Sequence, residues 1–144
     1  MADAATQVVL VDSMGELAAF YASADVAFVG GSLVPVGGHN LLEPAALGLP
    51  VLTGPYQSNG QDIARLLIQQ GAALQVADAQ ELAAALTRLL ADPKERQRIG
   101  DIGRRVVESN RGSAARLLEL IEPLMACPVP PGPLPAAARP SASC

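Results

Sequence analysis

Residues 25–55 read DVAFVGGSLVPVGGHNLLEPAALGLPVLTGP, and the alternation inside this stretch decides the fold. Asp25–Val29 is a short apolar run broken by Gly30-Gly31-Ser32. After the loop LVPVGGH, Asn40–Leu47 reads as a helix closed by Gly48, where a left-handed residue commonly ends a helix. Pro50–Thr53 is a second apolar run, followed by the loop GPYQSNG. Short aliphatic runs with a helix between them indicate parallel strands buried on both faces.

The same rhythm extends in both directions. Upstream, Gln7–Val11 (QVVLV) predicts a strand ending at Asp12-Ser13. Ser13-Met14-Gly15-Glu16 has the spacing of a capping box, opening a helix to about Ser23 with Leu17, Phe20 and Tyr21 on one side. Downstream, Gln61–Gln70 is amphipathic with Ile63, Leu66 and Leu67 along one stripe, and Ala72–Val76 predicts a fourth strand. Asp78 with Glu81 caps a helix carrying Leu82, Ala85, Leu86, Leu89 and Leu90. Asp92-Pro93 pairs an N-cap with proline at the first helical position, opening a charged helix to about Asn110. A last helix over 112–125 would turn Leu117, Leu120, Ile121 and Leu124 inward. The expected class is therefore α/β, a Rossmann-like parallel sheet with helices on both faces, over residues 1–125. Residues 126–144 hold six of the twelve prolines and no periodicity, and read as a disordered Pro/Ala-rich tail.

Composition narrows the function. Of 144 residues, 50% are hydrophobic and 17% charged, with a net charge of -4. That balance supports a buried core and argues against duplex nucleic acid as a partner, which calls for a basic face. No window reaches 18 uninterrupted apolar residues, so no transmembrane helix is expected. The first residues, MADAATQVVLVD, lack the basic and long apolar regions of a secretory signal. Cys127 and Cys144 both fall in the Pro-rich segment, where they cannot staple a core. A reduced, cytosolic setting fits this cysteine usage.

Polar and glycine residues gather where the strands would end, and open α/β sheets bind ligands there. The Met14-Gly15-Glu16 turn could seat a phosphate on free amides at a helix start, although a capping box alone accounts for it. Gly37-Gly38-His39-Asn40 allows a nest of amides ahead of the next helix. Glu43, three residues on, could accept two hydrogen bonds from a ribose diol, or could merely close a cap with Asn40. His39, the single histidine, could equally be a hydrogen-bonded structural residue. No G-x-G-x-x-G, Walker A, C-x-x-C, H-x-x-x-H, D-x-D or nucleophile elbow is present. Metal and nucleophile chemistry therefore find no support. The arginines of the 93–110 helix are interspersed with acids, so that face reads as solvated, with anionic lipid or a partner domain as the other option.

DSMGEL at 12–17, FVGGSL at 28–33, GGHNxLEPA at 37–45, GxPVLxGP at 48–55 and the NxxD of Asn59–Asp62 occur together in this order. Jointly they resemble the C-terminal lobe of bacterial 3-deoxy-D-manno-octulosonic acid (Kdo) transferases, over about Val8 to Met125. Glu43-x4-Gly48-x-Pro50 is similar, more broadly, to the nucleotide-sugar lobe of GT-B glycosyltransferases. The resemblance implies an inverting, metal-independent transfer from CMP-Kdo to a lipid A precursor in lipopolysaccharide biosynthesis, with no cofactor. Glu43 would then bind the ribose hydroxyls, and Met14, Gly15 and Glu16 would line the nucleotide. Gly31, Ser32, Gly38, His39 and Asn40 would complete the phosphate and sugar pocket. It further implies that the acceptor site, the catalytic base and the attachment to the cytoplasmic face of the inner membrane belong to an N-terminal lobe this sequence does not contain. No catalytic residue is therefore assigned here, and the chain alone is expected to be inactive. In a sheet of order 3-2-1-4-5-6 the four expected strands would be 3, 4, 5 and 6. A gap of about 14 Å would separate the first from the rest. Either an edge stays unpaired or strand 7–11 slides inward, and marginal stability is expected. The alternatives are a GT-B transferase or epimerase using a UDP-sugar, a non-catalytic nucleotide-binding module, and an inactive truncated product.

Overall fold

The computed structural model describes residues 5–125. Three strands, β1 (Ala27–Val29), β2 (Val51–Thr53) and β3 (Ala73–Gln75), form one parallel sheet in the order β1-β2-β3. The register aligns Ala27 with Val51 and Val51 with Ala73. Six helices accompany them: α1 (Leu17–Ala22), α2 (Leu42–Ala46), α3 (Gln61–Gln69), α4 (Ala79–Ala91), α5 (Pro93–Asn110) and α6 (Ser113–Met125).

Alternation along each strand sends successive residues to opposite faces, and each face has its own core. Val29, Val51 and Ala73 pack with Leu41 and Ala45 around α2, Ala64 and Leu67 of α3, and half-buried Ile102, Val106 and Val107 of α5. Leu52 joins Val76, Leu89 of α4 and Ile99 of α5 on the other face, with Phe28, Leu74, Leu82, Ala85 and Leu86 against them. The sheet thus carries helices on both faces, and α5 contributes to both cores.

Two contacts fix α5. Gly100 lies so close to the carbonyl of Gly48 that a Cβ there would overlap it, and Gly103 faces Ala45. Arg96 donates to the carbonyls of Leu89 (2.8 Å) and Leu90 (2.9 Å) at the end of α4, and pairs with Asp25 at 3.2 Å. The caps read from sequence are formed. Asp78 accepts from the amides of Gln80 and Glu81, and Asp92 from those of Lys94 and Glu95.

Several expectations are corrected. Residues 7–11 form no strand: Val8, Val9 and Leu10 are exposed and none of the run pairs with the sheet. Apolar β-branched residues favour a strand only where a neighbouring ladder and a face to pack on exist; among the described residues none pairs with the outer edge of β1. The 13–16 segment is not a capping box. Gly15 takes φ +86°, ending any helical continuation. The Ser13 hydroxyl bonds the Glu16 carboxylate, and α1 begins only at Leu17. Leu17 and Phe20 are exposed, leaving Tyr21 as the half-buried residue of α1. On α3 the buried stripe is Ala64 and Leu67, while Ile63 and Leu66 face outward. Leu90, the last apolar residue of α4, is likewise exposed.

The chain divides into two compact units, Met1–Asn110 and one from Arg111 that contains α6. Leu117 and Leu120 of α6, expected to face inward, are exposed, while Ile121 is half-buried. The Leu124 side chain and the tail over 126–144 lie outside the described residues.

Candidate nucleotide-sugar site

The loops leaving β1 and β2 are laced together behind a cleft. Ser32 is fully buried: its hydroxyl donates to the Val29 carbonyl (2.6 Å) and accepts from the Gly54 amide (2.8 Å). The Ser32 carbonyl in turn accepts from the Tyr56 amide at 2.9 Å. Gly38 donates to the Gly31 carbonyl (2.8 Å), and the Asn59 amide donates to the Gly37 carbonyl (3.0 Å). The Asn59 side chain reaches back to the Gly38 carbonyl at 3.2 Å. Gln57, buried, donates to the Thr53 hydroxyl. Gly38 must be glycine in this weave: its φ is +68°, and a Cβ would stand 2.5 Å from Gln57 Oε1.

In front of these loops lies a cleft of about 490 Å³ lined by Gly38, His39, Asn40, Leu41, Asn59 and Gly60, among others. The N–H groups of His39, Asn40 and Leu41 have no acceptor among the described residues. α3 starts at the cleft wall with Gly60 as its N-cap and no side-chain cap. Its first amides and the positive end of its dipole are therefore open to an anion. His39 packs its ring beside Gly31 and is exposed.

Glu43 stands on the first turn of α2. Asn40 Oδ1 accepts from the Leu42 amide (2.9 Å), and Asn40 Nδ2 donates to Glu43 Oε1 (2.9 Å). The carboxylate is exposed, so it is both held by Asn40 and accessible to a ligand. Burial, and secondarily the Glu43 carboxylate, push the Tyr21 phenol above the usual tyrosine value.

Of the residues singled out in the sequence, Gly31, Gly38, His39, Asn40 and Glu43 come together here. Ser32 lies behind the cleft as a tie between loops, its hydroxyl committed to the backbone. Met14 and Gly15 line a different, apolar hollow of about 450 Å³ with Val11, Ser13, Leu17 and Phe20. Glu16 is exposed at the start of α1. Asn59, Gly60 and Tyr21 were not singled out as site residues. Asn59 lies inside a quoted motif and could have been, whereas the burial of Tyr21 depends on how α1 packs on α2. Among the described residues no group of three His, Cys, Asp or Glu side chains could hold a metal ion, and no helix is long and apolar enough to cross a membrane.

A parallel sheet flanked by helices, with glycine-rich loops and an uncapped helix start at its carboxyl edge, is the arrangement in which open α/β sheets bind ligands. The family model described as glycosyl transferases group 1 matches residues 2–106, and the chain belongs to that family. It is 46% identical over 121 residues to a 3-deoxy-D-manno-octulosonic acid transferase of Haemophilus influenzae, covering 83% of this chain and 28% of the relative. The protein of that name from Bordetella pertussis is 42% identical over 115 residues, covering 80% and 27% respectively. The chain thus spans about a quarter of the length of these curated relatives. Among solved structures, the C-terminal CMP-Kdo binding domain of WaaA from Acinetobacter baumannii superposes with a TM-score of 0.68 at 43% identity. The match covers 71% of this chain and 53% of that one.

Proposed function

We propose that residues 1–125 are the donor-binding part of a Kdo transferase, holding CMP-Kdo for transfer to a lipid A precursor. The observation that carries this reading is the likeness, in both sequence and fold, to the Acinetobacter baumannii domain described as CMP-Kdo binding. In this reading the phosphate lies against the free amides of His39, Asn40 and Leu41 and the start of α3. Glu43, steadied by Asn40, accepts hydrogen bonds from the ribose hydroxyls. Gly31 and Gly38 keep the backbone clear for the sugar, and Ser32 holds the two loops at their spacing. Met14 and Gly15, which line a separate hollow, and Glu16 beside them would reach the nucleotide only by movement of the 13–16 turn toward the cleft.

Transfer in this scheme is inverting and metal-independent. The amides and the α3 dipole offset the charge that develops on departing CMP, a role a cation plays elsewhere. The acceptor site, the catalytic base and the inner-membrane association belong to the part of the enzyme outside this chain, so the chain by itself binds but does not transfer. Calorimetric titration tests the reading. CMP is expected to bind more tightly than UMP, and Glu43→Gln to weaken CMP by about tenfold or more, the scale of a lost charged hydrogen bond. Equal binding of UMP would favour a UDP-sugar enzyme instead.

A further inference from the structure

Two parts of the first unit each lack what the other offers. Residues 7–11 (QVVLV) are a strand-forming run without a strand. None of their backbone N–H or C=O groups is bonded among the described residues, and Val8 and Leu10 are 84% and 88% exposed. Strand β1 is an edge without a neighbour. The Ala27 amide donates to the Pro50 carbonyl at 3.0 Å, so Phe28, next along the strand, turns its N–H and C=O to the outer side. No described residue meets them there, and Val26 and Phe28 are only half-buried. Neither 7–11 nor 26–29 carries a charge or a proline, the devices by which proteins guard an edge against pairing with another chain. Val11 continues the run into the apolar hollow it shares with Met14, Leu17 and Phe20, all exposed. A monomer surface rarely gathers this much apolar area in one place.

We propose that a second copy of this chain occupies the β1 edge by reciprocal strand exchange: the 7–11 run of each copy lies along β1 of the other. Each sheet then has four strands, and residues 7–11 and Phe28 gain their ladder bonds in one event. Exchange about a two-fold axis closes the assembly at two copies, so neither is left with an unfilled β1. Alternation sets Val8 and Leu10 on one face of the added strand and Val9 and Val11 on the other. Both faces of the sheet carry apolar cores, which an uncharged run suits on either side. Two such apolar sets buried together approach the about 1,600 Å² that a standard stable interface removes from water. The inference is independent of what the cleft binds.

Analytical ultracentrifugation of the 144-residue chain over a dilution series tests the pairing. The expected species has twice the 14.8 kDa of one chain. Hydrogen exchange locates the contact: the amides of residues 8–11 and of Phe28 should be protected in the dimer and lose that protection together on dilution. Val9→Pro removes a donor and bars a ladder in a run that is unpaired in the single chain, so a monomer with unchanged helical circular dichroism is expected. Leu10→Lys keeps the backbone donor and puts a charge on the added strand. It should raise the dimer dissociation constant about a hundredfold, the scale of one large apolar side chain lost from each half of the interface. A monomer at every concentration overturns the proposal. So does a dimer that survives both variants, or one in which residues 8–11 exchange freely, since the apolar surface then associates without strand pairing. Growth into open polymers overturns it as well, because a head-to-tail edge contact does not close.

Discussion

Ser32 illustrates how a residue can shape a site without facing it. Its hydroxyl joins the ends of β1 and β2 by donating to one backbone and accepting from the other. Ser32→Ala would leave the buried Gly54 N–H without an acceptor, a desolvation penalty of about 1–3 kcal/mol. The expected result is a lower urea midpoint with unchanged slope, and looser nucleotide binding because the 30–40 and 54–60 loops lose their common anchor. In the sequence Ser32 was read as lining the phosphate and sugar pocket, not as a tie between loops. A serine after two glycines can point either way, and the direction is set by where β2 ends. Glu43 and Asn40 were more legible, because the bond between them spans three residues and needs no tertiary information.

Among the elements, two of the three local caps held, and the 13–16 box, interrupted by left-handed Gly15, did not. The caps at Asp78 and Asp92 depend on side chains bonding amides two and three residues ahead, so they follow from the sequence alone. The 7–11 run failed for the opposite reason, since a strand is completed by a neighbour distant in the chain. The α2–α5 crossing was not legible either: Gly100 and Gly103 lie within a charged helix, with nothing local to mark them as contact points. Both are buried where α5 presses on Gly48 and Ala45. Gly100→Ala drives a methyl into the Gly48 carbonyl and should cost roughly 3 kcal/mol, seen as a drop in the chemical-denaturation midpoint. Gly103→Ala, whose new methyl would sit 3.3 Å from the Ala45 carbonyl, should cost less.

Taken whole, the first unit is a small α/β layer structure, in which burial first and the Glu43 carboxylate second raise the Tyr21 phenol above the usual tyrosine value. The sign follows directly. The folded phenol holds its proton to a higher pH than the unfolded one, so above the ordinary tyrosine value of about 10 the unfolded state binds fewer protons. Stability contributed by the neutral phenol is complete below that pH and is lost as pH rises toward the folded value. Thermal midpoints should therefore fall more steeply above about pH 10 in the native protein than in Tyr21→Phe. The fold class was legible at this scale because every apolar run of 25–76 alternates with a helix or glycine loop. The separate unit holding α6 was not, because Leu117 and Leu120 have the same helical spacing whether or not they find a core.

The contact between Gly48 and Gly100 bears on how such a sequence can drift over generations. With the backbones this close, position 100 cannot gain a side chain unless α5 moves off Gly48, whereas a Cβ at Gly48, whose backbone is left-handed, would meet the Arg104 guanidinium instead. A lineage leaving glycine at position 100 must cross a less stable intermediate. Gly30 has nothing near its missing Cβ and no left-handed backbone, so on stability grounds it can be replaced freely. Two glycines that look alike in the sequence thus stand under opposite steric constraints, one bound to a distant partner and the other at liberty.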